Sequence, residues 1–185
     1  ASSLSYNTWS MVLDAKTILV EPMRLDKILK DGRIQIGSLD IYPVFEPSRQ
    51  IASKLFGTNF TTQLGPGGVP FFFHNATVRS MIVNIETLTD QSFPTWFQQQ
   101  GMLTEFILYS GYLHYKHGGF DQLYGQYNLK NITNICHSEV GIFDSKAKSF
   151  PQSSTVSIHR RAWDQLTEHQ QEDYKNFLLS RGITL

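Results

Sequence analysis

The chain has 185 residues, a mass of 21.2 kDa and 16 basic against 16 acidic side chains, so its formal net charge is zero. A hydrophobic content of 41% and an aromatic content of 13% supply enough apolar surface for a core, which excludes intrinsic disorder. Balanced charge argues against a protein built to grip the phosphate backbone of a nucleic acid, and a single cysteine excludes an internal disulfide and a cysteine-based zinc cluster.

The length fits one domain over residues 1–185, or two small interleaved lobes. No apolar run approaches the roughly 20 residues that span a bilayer, so the chain is not expected to be transmembrane. No Walker phosphate loop, His-Glu-x-x-His or Gly-x-Ser-x-Gly motif occurs. The opening Ala1-Ser2-Ser3 fits either a mature end left by signal cleavage or an arbitrary starting point. Asn59, Asn75 and Asn131 begin Asn-x-Ser/Thr triplets, which arise by chance and carry little weight. Cys136 reads as a small buried apolar side chain rather than a nucleophile.

In chain order, Met11 to Val20 reads as extended, ending at Pro22. Arg24 to Lys30 is a short helix candidate, with Leu25, Ile28 and Leu29 on one face and Asp31-Gly32 as its stop. Arg33 to Val44 follows as a strand with a bulge near Gly37-Ser38. Glu46-Pro47-Ser48 opens a helix that runs to Gly57. Gly65 to Gly68 is a turn or hinge, and Val69 to Phe73 an extended apolar run.

Val78 to Leu88 reads as strand, and Phe93-Pro94-Thr95 starts a short helix ending at Gly101. Thr104 to Tyr115, aromatic and β-prone, reads as another strand. Phe120 to Tyr127 is a helix candidate, Leu129 to Phe143 looks extended and Thr155 to Ile158 is a strand candidate. Ala162 to Arg181 is an amphipathic helix with Trp163, Leu166, Tyr174, Phe177 and Leu178 near one stripe. Strands alternating with helices predict α/β with a mainly parallel sheet. The strand-rich middle leaves α+β with an antiparallel, barrel-like sheet as the alternative.

As a strand, the segment around His114 and His117 sends the two rings to opposite faces, so no metal site is expected; on a helix they would share a face. His74, His137, His159 and His169 have no carboxylate partner at ligand spacing. Arg49 lies in the first turn of a helix that follows a strand. A guanidinium there could hold a carboxylate bidentately, or simply pair with Glu46. Trp9, Tyr42, Tyr112 and Tyr115, like Trp96, each offer a flat apolar face with a polar handle, which suits the wall of a small-molecule cleft.

The run Ile28-Leu29-Lys30-Asp31-Gly32-Arg33-Ile34-Gln35, followed by Glu46-Pro47-Ser48-Arg49 and Val69-Pro70-Phe71-Phe72-Phe73, resembles the first lobe of two-lobed periplasmic solute-binding proteins. The tail from Val156 to Leu166 is similar to receptors that serve dicarboxylate-type TRAP transporters. Gln35 stands where that family has Asp. The resemblance implies a periplasmic-binding-protein-like fold, a periplasmic or secreted location, and a membrane transporter or sensor as partner. It also implies that Arg49 holds a ligand carboxylate.

The leading expectation is therefore a non-enzymatic, extracytoplasmic binding domain for a small molecule bearing a carboxylate, such as an amino acid. Arg49, Tyr42, Trp9, Tyr112 and Tyr115 would form its site, with no catalytic residue, metal or cofactor. One alternative is an enzyme or lipocalin-like protein whose pocket uses residues 105–121, with Glu105 and Asp121 as acid–base groups. Another is a structural or interaction protein of an assembly.

Overall fold

The structure, a computed structural model, describes residues 8–13, 17–21, 28–65, 71–125, 132–135, 137–153 and 155–184. The chain divides into two units interleaved in sequence. Unit 1 comprises Ala1–Val12 and Asp26–Asn128, and unit 2 comprises Leu13–Leu25 and Leu129–Leu185.

Unit 1 carries three small sheets and four α-helices among its described residues. Strand β1 (Trp9–Val12) runs antiparallel to β7 (Phe71–His74), with Trp9 opposite His74 and Ser10 opposite Phe73. Strands β3 (Leu29–Lys30) and β4 (Arg33–Gln35) form a hairpin, and β4 pairs in parallel with β8 (Tyr124–Gly125). Strand β5 (Ser38–Asp40) runs antiparallel to β6 (Thr62–Leu64). The helices are α1 (Glu46–Phe56), α2 (Asn75–Thr89), α3 (Phe93–Gln99) and α4 (Glu105–His117).

Helix α4 is the centre of this unit. Its residues Ile107 through Leu113 are all buried, a full two turns with no wet face. A helix apolar all round must be covered on every side, and Gly111 permits a tight contact on one of them. A Cβ there would lie 2.9 Å from the Phe60 ring and 3.1 Å from the Ala52 methyl of α1. Thr104 caps the helix start by accepting the Ile107 N–H, and Gly118, at φ 72°, ends it. The buried Ser48 hydroxyl ties α1 to the segment before α4: it donates to the Met102 carbonyl and accepts the Thr104 N–H at 3.0 Å.

Unit 2 is built on β10 (Thr155–Ile158), all four of whose residues are buried. It pairs antiparallel with β2 (Thr17–Leu19) and parallel with β9 (Ile132–Ile135). Helices α5 (Phe143–Ala147), α6 (Arg160–Trp163) and α7 (Glu168–Ser180) supply Phe143, Ala162, Tyr174 and Leu178 to a core shared with Val156 and Phe150.

The expected periplasmic-binding-protein-like α/β fold with a mainly parallel sheet does not form. The described strands make four sheets of two or three strands each, antiparallel or mixed. The reason is local. Val78 to Leu88 and Thr104 to Tyr115, expected as strands, are the helices α2 and α4, so the strands that would have filled a larger sheet are absent. A barrel-like sheet is absent among the described residues for the same reason.

Smaller corrections follow the same logic. Asp31 and Gly32 have φ of 52° and 74° and turn the β3–β4 hairpin instead of capping a helix. The segment expected as a helix from Phe120 leads instead through a turn into β8. The C-terminal helix is broken in two, because Thr167 starts α7 afresh with a reciprocal capping box to Gln170. Most of Arg24–Lys30, the turn at residues 66–68, Cys136 and Asn131 lie outside the described residues. No helix among the described residues is long and apolar enough to cross a membrane.

Candidate functional site

Unit 1 contains a cavity of about 440 Å³, within the size range of small-molecule sites. Five elements contribute to it. Helix α2 presents Val78, Met81, Ile82 and Glu86, spaced i, i+3, i+4 and i+8 along one side. Helix α4 presents Glu105 and Leu108, one turn apart, and Phe93 and Pro94 close the wall from the first turn of α3. Ser10 and Val12 point the same way from β1, and Phe73, the cross-strand partner of Ser10, joins them.

The walls are mainly apolar, and the two ionisable lining groups are both carboxylates. The Glu86 Oε1 accepts the Phe93 N–H at 2.9 Å, so this side chain caps the start of α3 and is fixed in orientation. Glu105 opens α4, where the positive end of the helix dipole favours an anion. No hydrogen bond or ion pair among the described residues engages its carboxylate.

Behind the Phe73 wall lies a buried polar chain. The Tyr109 ring meets Phe73 edge-on at 4.9 Å, and its hydroxyl accepts the His74 N–H at 3.1 Å. Burial pushes the Tyr109 hydroxyl up to about 12 and raises Tyr124 well above its ordinary value. The His74 Nδ1 lies 2.8 Å from the Thr77 hydroxyl, and its ring packs against Trp9 at 5.0 Å. Burial holds His74 below its ordinary pKa, with His117 and Arg79 adding to the effect.

Two further hollows are less suited to a ligand. One of about 540 Å³ in unit 2 is rimmed largely by polar groups, among them Asp144, Lys148, His169 and Asp173. Another of about 480 Å³ lies in unit 1 over Ile51, Leu55 and Trp96. It presents Lys54 and Gln100 rather than converging polar groups on an apolar wall.

None of the five residues expected to form a site lines the cavity. Trp9 sits one position before Ser10 on β1, so its ring faces the other side of the ribbon, against His74 and Tyr124. Tyr112 is core, with its hydroxyl 2.7 Å from the Ser80 hydroxyl. Tyr115 stacks on Phe56 at 5.7 Å, and Tyr42 is exposed beside Phe45.

Arg49 has its fork filled by the protein. Its Nε and Nη2 donate to the two oxygens of Glu46 at 2.7 and 2.6 Å, and Nη1 donates to Asn59 Oδ1 at 2.9 Å. That pairing holds the Glu46 carboxyl down at about 2. Of the groups named for an enzymatic site, Glu105 lines the cavity, while Asp121 offers its backbone carbonyl to Arg33.

His114 and His117 do share one helix. The His114 Nε2 lies 3.3 Å from the Thr62 hydroxyl, and no cluster of three or more metal-ligating side chains exists among the described residues. His169, read as lacking a carboxylate at ligand spacing, lies 3.1 Å from Asp173 on the exposed surface of α7.

The α2 wall escapes a reading by propensity, because Val78, Ile82, Val83 and Ile85 suggest a strand. The signal that could have found it is the buried series Val78, Met81 and Ile85, whose spacing is helical. No protein-family model matches this sequence, and no curated protein matches it significantly.

Proposed function

We propose that unit 1 is a capture module for a small amphipathic molecule. The ligand seats its apolar body against Val78, Met81, Phe73 and Leu108 and turns its polar end toward Glu86 and Glu105. The single observation that carries this reading is the cavity itself: about 440 Å³, mainly apolar in its walls, with few polar groups, of which the ionisable ones are both carboxylates. Burial of apolar surface would supply affinity, and the carboxylates would supply orientation. A ligand carboxylate held by Arg49 is not part of the reading, because Glu46 already occupies that guanidinium.

The test is a thermal-shift and calorimetric screen of short amphiphiles against the wild type and Met81→Trp. Met81 is 4% exposed and lines the cavity, so an indole there takes up ligand space. Ligands that stabilise the wild type and not the folded variant support capture. Equal stabilisation of both places binding elsewhere.

A second reading follows from Glu105 alone. A carboxylate open to a cavity and engaged by no protein group among the described residues is also what a general base requires. Chemical turnover of a captured compound, lost in Glu105→Gln while binding persists, would favour an enzyme over a carrier.

A further inference from the structure

We infer that the cavity of unit 1 selects organic cations: an ammonium or guanidinium head on a short apolar body. The inference rests on the capture reading and adds the ligand's charge.

The lining fixes the sign. Glu86 and Glu105 are its ionisable members, and no Lys, Arg or His is among the described residues that line it. A ligand carboxylate entering there would meet two like charges and no cation among the described lining residues, which is unfavourable. A cation would meet two acceptors, one of them already oriented. The Glu86 Oε1 is committed to the Phe93 N–H, and Oε2 takes no part in that bond. A charge-assisted bond from an ammonium to such a fixed carboxylate is stronger than a neutral one and costs little rearrangement.

The aromatic walls point the same way. Phe73 and Phe93 both line the cavity, and ring faces attract cations as well as apolar chains. Val78, Met81, Ile82 and Leu108 leave room for an alkyl or aryl body and offer it no hydrogen bond. A small inorganic cation would leave those walls unused. A neutral alkane would leave the carboxylates unanswered.

The experiment compares three probes of one chain length, hexylammonium, 1-hexanol and hexanoate, by calorimetry against the wild type and Glu86→Gln/Glu105→Gln. The double variant is expected to fold, because the amide oxygen introduced at position 86 can still accept the Phe93 N–H and Glu105 is exposed. In the wild type hexylammonium should bind roughly tenfold tighter than hexanol, with hexanoate weakest. In the double variant the hexylammonium-to-hexanol ratio should fall to near one. Hexanol or hexanoate binding as tightly as hexylammonium overturns the inference and leaves capture standing, as does a ratio unchanged in the double variant. Failure of all three probes to bind the wild type overturns capture as well.

Discussion

Tyr109 and Tyr124 meet hydroxyl to hydroxyl, 2.9 Å apart, in the interior of unit 1. Tyr124 donates onward to the Phe72 carbonyl at 2.8 Å, and Tyr109 accepts from the His74 N–H. The pair therefore links α4 and β8 to β7 through groups shielded from water. Removing either hydroxyl strands a buried partner. Tyr109→Phe and Tyr124→Phe should each destabilise the protein by about 1–2 kcal/mol. The double variant should cost less than the sum, since the two share one bond. Urea denaturation of the three variants checks this, and strict additivity would show that the hydroxyls act independently.

Stability should fall in mild acid. Burial holds both His74 and His114 below their ordinary pKa of 6.5. Above 6.5 both are neutral, folded or unfolded, and their contribution is fully present. As pH drops from 6.5 toward the lower folded values, the unfolded chain binds protons first and the native state loses ground. Unfolding free energies at pH 7.5 and 5.5 should differ less in His74→Gln/His114→Gln than in the wild type. An identical pH dependence would assign the acid sensitivity to other groups.

Gly111 lets α4 pack tightly against Phe60 and Ala52 of α1. Gly111→Val adds atoms where a single Cβ already comes within 2.9 Å of the Phe60 ring, and it should cost about 1–3 kcal/mol. Gly119, where a Cβ would meet nothing within 4 Å, lies at φ 148° and so serves as a contrast in which backbone strain, not packing, sets the cost. Thermal denaturation of Gly111→Val and of the Gly111→Val/Phe60→Leu pair separates the two causes. Partial recovery in the pair identifies crowding.

Arg49→Ala should loosen the start of α1 and its tie to the Asn59 loop, and leave probe binding in the cavity unchanged. The Glu46 carboxyl, held at about 2 by Arg49, should return toward its ordinary 4.5. Carboxyl titration by NMR measures that return, and calorimetry with hexylammonium measures binding. A lost ligand would restore Arg49 to the site.

The sequence made some of this legible through short-range chemistry. Pro47 near the start and Gly57 at the end bracket α1, and that helix forms over Glu46–Phe56 as expected. Thr155 to Ile158 is the strand it looked like, because its four residues are buried together. The misreadings have one origin. In α2 and α4, β-branched and aromatic side chains raise local strand propensity, and the covering of α4 on every side erases the amphipathic signature that would have overruled it. The cavity inherits that error, since its α2 wall exists only once Val78, Met81, Ile82 and Glu86 share a helix face. Arg49 was visible as a candidate, but its engagement of Asn59, ten residues on, was not. Tertiary partners decide whether a guanidinium is free.

Met81 lines the cavity of unit 1, so its methyl group reports whether a ligand enters there. The chain has four methionines, so methyl-labelled protein gives a simple spectrum. Titration with hexylammonium should shift the Met81 methyl in a saturable way and leave that of Met102, 63% exposed and outside the cavity lining, in place. A Met81 signal unmoved at saturating probe, or one that moves no more than Met102, would show that the cavity does not take the ligand.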